Sequence, residues 1–290
     1  MVTGRLSGFV RHLTVLFLAL LVAGCTTTSV LRATPFKIPS DRFAAIIIEE
    51  KSGKVLYQIR PDAIRFPASL TKMMTMYMVF EGLEAGRFTK TTPIPISAKA
   101  AREPASKLYL KEGETITVHD ALFALSVKSA NDIAYAVAEF IGGSEEAFAK
   151  QMTQKARGLG LASTTFRNAS GLPDKRQVTT ARDMAKLGVI LRQKYPQHFH
   201  YFGESTMEFK GKTITGHNRV LRQLKGADGI KTGYTRASGF NLVTSAQTPR
   251  GRLIGVILGE NSSKIRDRHM VLLINKYGKR VAPPTAAESN

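Results

Sequence analysis

The sequence predicts an α+β fold with α/β/α-like layers: an antiparallel five-stranded sheet is covered by helices, and a large helical subdomain is inserted into it. Two patterns predict this class. Apolar runs bounded by turn residues, which are typical of strands, occur near the start of the chain and again in its last third. Between them, apolar residues recur at helical spacing. The active site is expected where the sheet meets the helices.

The first predicted element is a hairpin of two strands. Residues 43–49 and 55–59 are apolar runs, and Lys51-Ser52-Gly53-Lys54 between them has the composition of a turn. Residues 70–80 are apolar on nearly all sides, which predicts a helix buried in the protein.

Four further helices are predicted after this buried helix, and together they form the inserted subdomain. They cover residues 118–126, 131–141, 144–159 and 180–194. Ser144 is the expected N-cap of the third, and the fourth ends before Pro196.

Strand patterns return after residue 200 in five runs. These runs cover residues 207–210, 213–215, 229–234, 240–246 and 252–259. A final helix is expected over residues 263–277, and one of its faces would cover the sheet. That face is expected to contain Ile265, Val271, Leu272, Leu273 and Ile274.

Composition limits the classes of partner. The chain has 290 residues, 43% of them hydrophobic, which is enough for one large or two small domains. Its 42 Lys and Arg residues against 22 Asp and Glu residues give a formal charge of +20. Nucleic acid is not the expected partner, because the basic residues are spread along the chain and are not interleaved with aromatic residues. A surface that faces anionic lipid or an anionic wall polymer would explain the charge.

The N-terminal segment has the pattern of an export signal. A positive region with Arg5 and Arg11 precedes an apolar stretch at residues 13–23, which is too short for a permanent membrane span. We therefore expect a signal peptide over residues 1–24 and a location on the periplasmic side of a bacterial membrane.

Cys25 is the only cysteine in the sequence, and it follows Val22-Ala23-Gly24 in a pattern that resembles the bacterial lipobox. An exported thiol without a disulfide partner is best explained as a lipid attachment site. We expect lipid on Cys25 to anchor the protein, followed by a polar tether over residues 25–40. The alternative is an ordinary signal peptide cleaved nearby. At the other end, residues 281–290 are expected to form a disordered tail.

Three short motifs contain the candidate catalytic residues. Ser69 has Lys72 three residues later, and this offset places both side chains on one helix face. Ser129-Ala130-Asn131 adds a second hydroxyl and an amide, and Lys231-Thr232-Gly233 adds a cation. Lys72 can act as a base if burial and a nearby Lys231 lower its pKa. Together the motifs supply the groups that acyl transfer to a serine requires.

Each motif alone is weak, because Ser-x-x-Lys is usually only the first turn of a helix and Lys-Thr-Gly is more often a turn. No Gly-x-Ser-x-Gly segment occurs in the sequence. His198 and His200 lack a third ligand at suitable spacing, so neither a metal nor a cofactor is expected. The order of the three motifs, each in a suitable context, is what indicates an active site.

With these motifs in this order, the chain resembles the penicillin-interacting serine DD-peptidases, specifically the low-molecular-weight D-alanyl-D-alanine carboxypeptidases. The resemblance covers about residues 43–277 and implies one DD-peptidase domain over residues 41–280. Beyond the three motifs it includes residues 67–73, 128–132, 168–172, 180–184, 217–218, 228–235 and 239–243.

The resemblance implies the chemical roles of four residues. Ser69 would attack the carbonyl between the two terminal D-alanines of a peptidoglycan stem peptide and become an acyl-enzyme, while Lys72 accepts its proton. Ser129 would relay a proton toward the leaving amine. Asn131 would position the substrate amide and Lys72. β-Lactam antibiotics would imitate the substrate and acylate Ser69.

The resemblance also implies how the substrate is held. Lys231 and Thr232 would bind the terminal carboxylate, and Gly233 would leave space for the peptide to lie along the strand edge as an added strand. The backbone N–H groups of Ser69 and Tyr234 would form the oxyanion hole.

One departure from the family concerns the substrate carboxylate. Many relatives have Gly-Gly-Arg after the last strand, whereas this chain has Gly259-Glu260-Asn261. Carboxylate binding would then depend more on Lys231, Lys264 or Arg266. We also expect neither the β-rich second domain nor the C-terminal amphipathic anchor of several relatives, and the expected lipid on Cys25 would replace that anchor.

Three other functions stay open. A DD-endopeptidase that cleaves peptide cross-links would use the same residues and differ only in its groove. A β-lactamase with these motifs also needs a Glu-x-x-Leu-Asn loop, and none occurs between Asn131 and Lys231. A non-catalytic wall-binding lipoprotein would have no need for an aligned nucleophile and base.

Overall fold

The computed structural model of the protein describes residues 40–279. The expected signal peptide over residues 1–24, Cys25, nearly all of the tether and the expected tail over residues 281–290 lie outside these residues. Within the described range, no helix is both long enough and apolar enough to cross a membrane.

Nine β-strands occur in residues 40–279. In chain order they are β1 (Ala44–Glu49), β2 (Val55–Ile59), β3 (Pro93–Pro95), β4 (Thr115–Thr117), β5 (Thr206–Phe209), β6 (Lys212–Thr215), β7 (Ala227–Thr235), β8 (Gly239–Thr248) and β9 (Gly251–Glu260).

The same range contains eight α-helices. They are α1 (Lys72–Glu84), α2 (Ala98–Arg102), α3 (Val118–Phe123), α4 (Asn131–Gly142), α5 (Glu145–Gly158), α6 (Ala181–Lys194), α7 (Val220–Gln223) and α8 (Ser263–Tyr277). Two 3₁₀ turns, Ala68–Thr71 and Phe199–Phe202, and a π-helical turn, Ala124–Lys128, supplement them.

The main sheet confirms the predicted α+β class and the five antiparallel strands. Its strand order is β2-β1-β9-β8-β7, so the first hairpin joins the last three strands of the described chain. Ile46 of β1 lies opposite Val256 of β9, which in turn lies opposite Val243 of β8. The two short strands β5 and β6 pair only with each other, outside the main sheet.

Helices α6 and α8 cover opposite faces of the main sheet. Successive residues of a strand point to opposite faces, and on β9 Ile254 lies toward Gly188 of α6 while Gly255 lies toward Met270 of α8. Both covering helices begin with a hydroxyl side chain as N-cap. Thr180 accepts a hydrogen bond from the N–H of Asp183 at the start of α6, and Ser262 accepts one from the N–H of Ile265 at the start of α8.

Helix α1 runs through the interior between the sheet and the other helices. Every residue from Lys72 to Phe80 is buried, as the all-round apolar pattern predicts. The helix contacts α4, α5 and α6. The start of α1 therefore lies at the junction of the sheet and the helical part, where the active site is expected.

Two predicted elements differ in the structure. The helix expected over residues 118–126 ends as α3 at Phe123 and continues as the π-helical turn, because Ser129 takes a left-handed conformation with φ of 59°. The predicted apolar face of α8 is wrong in part, since Ile265 is 39% and Leu272 56% exposed. Residues three and four positions apart share a helix face. The buried face accordingly contains Arg266, Met270, Leu273 and Ile274.

Candidate active site

Ser69 lies in the 3₁₀ turn that leads into α1, and Lys72 is the first residue of that helix. The Nζ atom of Lys72 lies 3.4 Å from the Oγ atom of Ser69. This is the proximity that the Ser-x-x-Lys spacing predicts. Ala68, just before the serine, has a left-handed φ of 49°, a conformation that costs a non-glycine residue about 1–2 kcal/mol.

Lys72 is buried and has two closer partners than Ser69. Its Nζ donates to the Asn131 Oδ1 at 2.8 Å and to the Ser170 carbonyl oxygen at 2.6 Å. Burial lowers the pKa of Lys72 well below its usual value, and the positive charge of Lys231 lowers it further. The structure therefore favours the neutral amine that a base requires, by the two causes expected from the sequence.

Ser129 and Asn131 line the same groove as Ser69. The left-handed backbone of Ser129 separates the π-helical turn from α4, which begins at Asn131. The Oγ of Ser129 is buried and has no hydrogen-bond partner in residues 40–279. Asn131 uses its Oδ1 for Lys72 and donates through its Nδ2 to the Pro104 carbonyl at 2.9 Å. The second motif thus contributes one hydroxyl with unused bonding capacity and one fixed amide.

The third motif lies on β7, which pairs with β8 on one side only and faces the groove with its other edge. Lys231 and Thr232 are buried there. The pKa of Lys231 is lowered to about 7 by burial and, less strongly, by the charge of Arg266. Tyr234 is 56% exposed and stacks on Phe240 with their ring centroids 4.3 Å apart.

Two glycines press against the backbone of the serine turn. A Cβ atom on Gly171, whose φ is +88°, would lie 1.9 Å from the Ala68 carbonyl oxygen and 2.8 Å from the Ser69 nitrogen. A Cβ atom on Gly233 would lie 3.0 Å from the Ser69 nitrogen. Gly171 must therefore lack a side chain for the serine turn to lie where it does, and Gly233 leaves only a tight fit for a Cβ atom.

A groove of about 460 Å³ joins the three motifs. Its lining includes Ser69, Ser129, Asn131, Thr232, Gly233, Tyr234, His217, Arg219 and Arg266. Burial lowers the pKa of His217, and the charges of Lys231, Lys128, Arg266 and Arg219 lower it further. One end of the groove is therefore cationic. This end is suited to an anionic group.

Of the residues that the sequence offers in place of an arginine near Asn261, Arg266 is the one that lines the groove. It is buried in the first turn of α8, lines the groove, and forms a 2.7 Å ion pair with Asp267. Lys264, the other candidate, is exposed and does not line the groove. Helical spacing from Met270 could have identified Arg266 as inward-facing.

Two further residues hold parts of the site in place, and neither belongs to the three motifs. Asn241 of β8, opposite Gly233, donates to the carbonyls of Phe66 and Pro67 at 2.9 and 3.1 Å and so holds the serine turn. The buried carboxylate of Asp132 accepts hydrogen bonds from the N–H groups of Leu108, Tyr109 and Ile133. These bonds hold the segment of residues 104–109, whose Pro104 carbonyl accepts the hydrogen bond from Asn131.

No cluster of three or more His, Cys, Asp or Glu side chains in residues 40–279 is arranged to hold a metal ion. His198, one of the two histidines considered from the sequence, instead lies 2.7 Å from Glu84.

The known proteins that are similar in sequence to this chain include D-alanyl-D-alanine carboxypeptidases. Residues 31–262 match the sequence profile of peptidase family S11, described as D-alanyl-D-alanine carboxypeptidase. The chain is 35% identical over 237 residues to D-alanyl-D-alanine carboxypeptidase DacF of Bacillus subtilis strain 168, which covers 80% of this chain and 61% of that protein. It is 36% identical over 234 residues to DacA of Escherichia coli strain K12, covering 78% and 58%.

A solved structure with the same fold is penicillin binding protein 5 from Haemophilus influenzae. The superposition has a TM-score of 0.78 at 32% identity and covers 84% of this chain and 72% of that chain. The present chain therefore spans about three fifths of the length of the two curated relatives and corresponds to one part of them.

Proposed function

Because the chain belongs to peptidase family S11, the D-alanyl-D-alanine carboxypeptidases, we propose that it removes the terminal D-alanine from peptidoglycan pentapeptide stems. The hydrolysis proceeds through an acyl-enzyme on Ser69. The observation that carries this proposal is the position of Ser69 beside a buried lysine whose pKa is lowered well below its usual value.

The contacts of Lys72 explain how the serine is activated. A neutral amine has two N–H donors and one lone pair. Asn131 Oδ1 and the Ser170 carbonyl accept from Lys72 at the two shorter distances. In the neutral state both donors are used there, and the lone pair is left for the hydroxyl proton of Ser69. The amine can therefore accept that proton as the serine attacks the substrate carbonyl.

The remaining steps use groups already in the groove. The backbone N–H groups of Ser69 and Tyr234 stabilise the negative charge on the carbonyl oxygen. Ser129, whose Oγ has no partner among the described residues, passes its proton to the nitrogen of the leaving D-alanine as the C–N bond breaks. Ser129 then takes the proton that Lys72 had accepted from Ser69, so that Lys72 is neutral again. Water attacks the ester while Lys72 takes a proton from it, and Lys72 returns this proton to the Ser69 oxygen as the acyl C–O bond breaks and the shortened peptide leaves.

The cationic end of the groove binds the terminal carboxylate. Thr232 offers a hydroxyl, Lys231 a cation in the buried floor, and Arg266 a planar guanidinium from α8. Arg266 takes the place of the arginine that many relatives carry near the position of Asn261. Asn131 and the edge of β7 hold the peptide so that it lies as an added strand.

β-Lactams inhibit the protein by acylating Ser69, since their strained amide occupies the place of the scissile bond. Intact-mass spectrometry after incubation with penicillin tests the mechanism, with Ser69→Ala as the control. A single added mass on the wild type and none on the control is expected, together with D-alanine release from a pentapeptide. A folded wild-type protein that stays unmodified would contradict the mechanism.

DD-endopeptidase activity is a second candidate, favoured by the length of the groove. Beyond Thr232 the groove continues to Gly216, His217 and Arg219, which leaves room for a leaving group larger than D-alanine. Comparison of D-alanine release with cleavage of cross-linked muropeptide dimers by the same preparation separates the two activities.

We also propose that the protein acts on the periplasmic side of a bacterial membrane, anchored by lipid on Cys25. The support is the apolar stretch at residues 13–23 followed by the lipobox-like Val22-Ala23-Gly24-Cys25. Metabolic labelling with a fatty-acid probe should mark the wild type but not Cys25→Ala. Equal labelling of both would contradict the anchor.

A further inference from the structure

Helix α5 begins with two glutamates whose surroundings differ. Glu146 is exposed and pairs with Lys150 at 3.6 Å, four residues along the same helix. Glu145 is partly buried, and its Oε1 accepts a hydrogen bond from the N–H of Ala169 at 3.1 Å. A carboxylate in the first turn of a helix is favourable at either position. Of the two, Glu145 is the one that bonds to the loop of residues 168–171 beside the catalytic groove.

Ala169 links helix α5 to the proposed base. Its N–H is held by Glu145, and its carbonyl oxygen accepts from the hydroxyl of Thr75 in α1 at 2.7 Å. The next carbonyl oxygen along the chain, that of Ser170, accepts from the Nζ of Lys72 at 2.6 Å. Both loop residues are buried, so water does not readily replace these partners. Glu145 therefore holds the residue next to the one that accepts the shortest hydrogen bond of Lys72.

The same loop also meets the serine turn. Gly171 is packed so closely against it that an added Cβ atom would lie 2.8 Å from the Ser69 nitrogen. A displacement of the loop would therefore reach both the nucleophile and Lys72. A misplacement of about 1 Å is enough to lower the rate of a positioned catalytic group strongly. The contact of Glu145 with the loop thus affects the reaction as well as the fold.

The charge of Glu145 has a second effect on the proposed base. Burial and the positive charge of Lys231 lower the pKa of Lys72, whereas nearby carboxylates raise it. These carboxylates come from three parts of the helical region, and they are Asp132 of α4, Glu103 after α2 and Glu145 of α5. Of the three, Glu145 is the one that also bonds to the loop.

The surroundings of Glu145 set the charge of its carboxylate. Burial raises its pKa, and the hydrogen bond from the Ala169 N–H lowers it. The charge of Glu139 raises the same pKa, and that of Lys72 lowers it. The other titratable groups on which Glu145 acts are Glu103 and Tyr135. Because a hydrogen bond to the charged form favours that form, the contact with the loop helps Glu145 to keep its negative charge.

We propose that Glu145 is a positioning residue for the acylation of Ser69. It holds the Ala169–Ser170 segment against Lys72, and its negative charge opposes the effect of Lys231 on the base. Glu145 lies outside the lining of the catalytic groove, so it acts through the loop and Lys72 rather than on the substrate. This proposal rests on the proposed acyl-enzyme mechanism and adds to it a residue from outside the three motifs.

The variant Glu145→Gln separates the charge from the contact, because its amide oxygen can still accept from the Ala169 N–H. Without the negative charge the pKa of Lys72 falls further, so the amine stays neutral at lower pH. The acid limb of the penicillin acylation rate should move to lower pH by on the order of 0.5 pH unit, while the maximal rate stays close to that of the wild type. Glu146→Gln removes an exposed charge from the same helix turn and is the matched control, with no shift expected.

A second variant, Glu145→Ala, removes the contact as well as the charge. Since a hydrogen bond to a charged group is lost, acylation of Ser69 should slow by about ten-fold at all pH values. A thermal melt checks that the variant is folded.

An acid limb at the same pH in Glu145→Gln and the wild type would overturn the proposal, and so would an equal shift in Glu146→Gln. A folded Glu145→Ala that is acylated at the wild-type rate would overturn it too. If Glu145→Ala does not fold, the pH profile of Glu145→Gln decides alone. A folded wild type that penicillin does not label on Ser69 would instead overturn the proposed function.

Discussion

The Nζ atom of Lys72 lies 2.6 Å from the carbonyl oxygen of Ser170, nearer than the 3.4 Å that separates it from the Oγ of Ser69. The proposed base is therefore held by a loop that carries none of the three motifs. Thr75 reinforces this contact, because its hydroxyl donates to the neighbouring Ala169 carbonyl at 2.7 Å. The loop and the start of α1 act as one unit.

Replacement of Lys72 by methionine should abolish activation of Ser69 while the protein stays folded. Loss of a positioned general base lowers the rate by about 10²- to 10⁴-fold. The rate of penicillin acylation, followed by intact mass, measures this loss, and a thermal melt checks the fold. Lys51→Met is the matched control. Acylation of Lys72→Met at the wild-type rate would assign the base elsewhere.

The activity should fall at alkaline pH because Lys231 loses its charge. Its pKa in the free protein is about 7, so the cation proposed to bind the substrate carboxylate is lost as pH rises through that value. The neutral fraction of Lys72 grows in the same direction, and kcat/KM should pass through a maximum. In Lys231→Arg the cation persists, and the alkaline limb should move to higher pH. An alkaline limb at the same pH in both proteins would contradict this assignment.

The same lysine makes stability depend on pH. The folded-state pKa of Lys231 is lowered to about 7 from its model-compound value of 10.5. Between these values the unfolded chain binds the extra proton, so the free energy of unfolding contributed by Lys231 rises with pH and falls as pH decreases through this window. Urea unfolding at neutral and at alkaline pH should show a smaller rise for Lys231→Met than for the wild type. A rise of equal size would show that Lys231 has an ordinary pKa.

Gly171→Ala should destabilise the protein and slow acylation together. The left-handed backbone alone costs about 1–2 kcal/mol for alanine, and the new Cβ would also meet the Ala68 carbonyl at 1.9 Å. Gly53→Ala is the matched control, since its φ is +69° and no atom lies within 4 Å of the added Cβ. Urea unfolding and the acylation rate measure both effects. Equal losses in the two variants would show that backbone strain, rather than the contact with the serine turn, is responsible.

Arg266 should affect carboxylate binding and the charge of Lys231. Hydrogen bonds to charged groups contribute about 1.5–3 kcal/mol, so Arg266→Gln should weaken substrate binding by about ten- to one-hundred-fold. The pKa of Lys231 should rise, because the charge of Arg266 lowers it. Asp267→Asn is added in the same protein, so that no buried carboxylate is left without its partner. A raised KM together with an unshifted alkaline limb of the kcat/KM profile would show that the charge of Arg266 does not lower the pKa of Lys231.

Long elements and the reactive centre could be predicted from the sequence because each has its own local pattern. The all-apolar residues of α1 predict burial, and the offset between Ser69 and Lys72 predicts their proximity. The hairpin of β3 and β4 could not be predicted, since its strands are three residues long and two of the three residues of β3 are prolines. The contact of the Ser170 carbonyl with Lys72 is tertiary and leaves no local pattern in the sequence.

The two glycines beside the serine turn also restrict how the protein could escape a covalent inhibitor. A larger residue at Gly171 would meet the Ala68 carbonyl oxygen at 1.9 Å, so a variant of that kind displaces the serine turn that carries Ser69. Exposed Tyr234 and partly exposed Leu172 at the rim can change without that displacement. Inhibitors that take their binding energy from the serine turn and avoid the rim would leave few viable mutations.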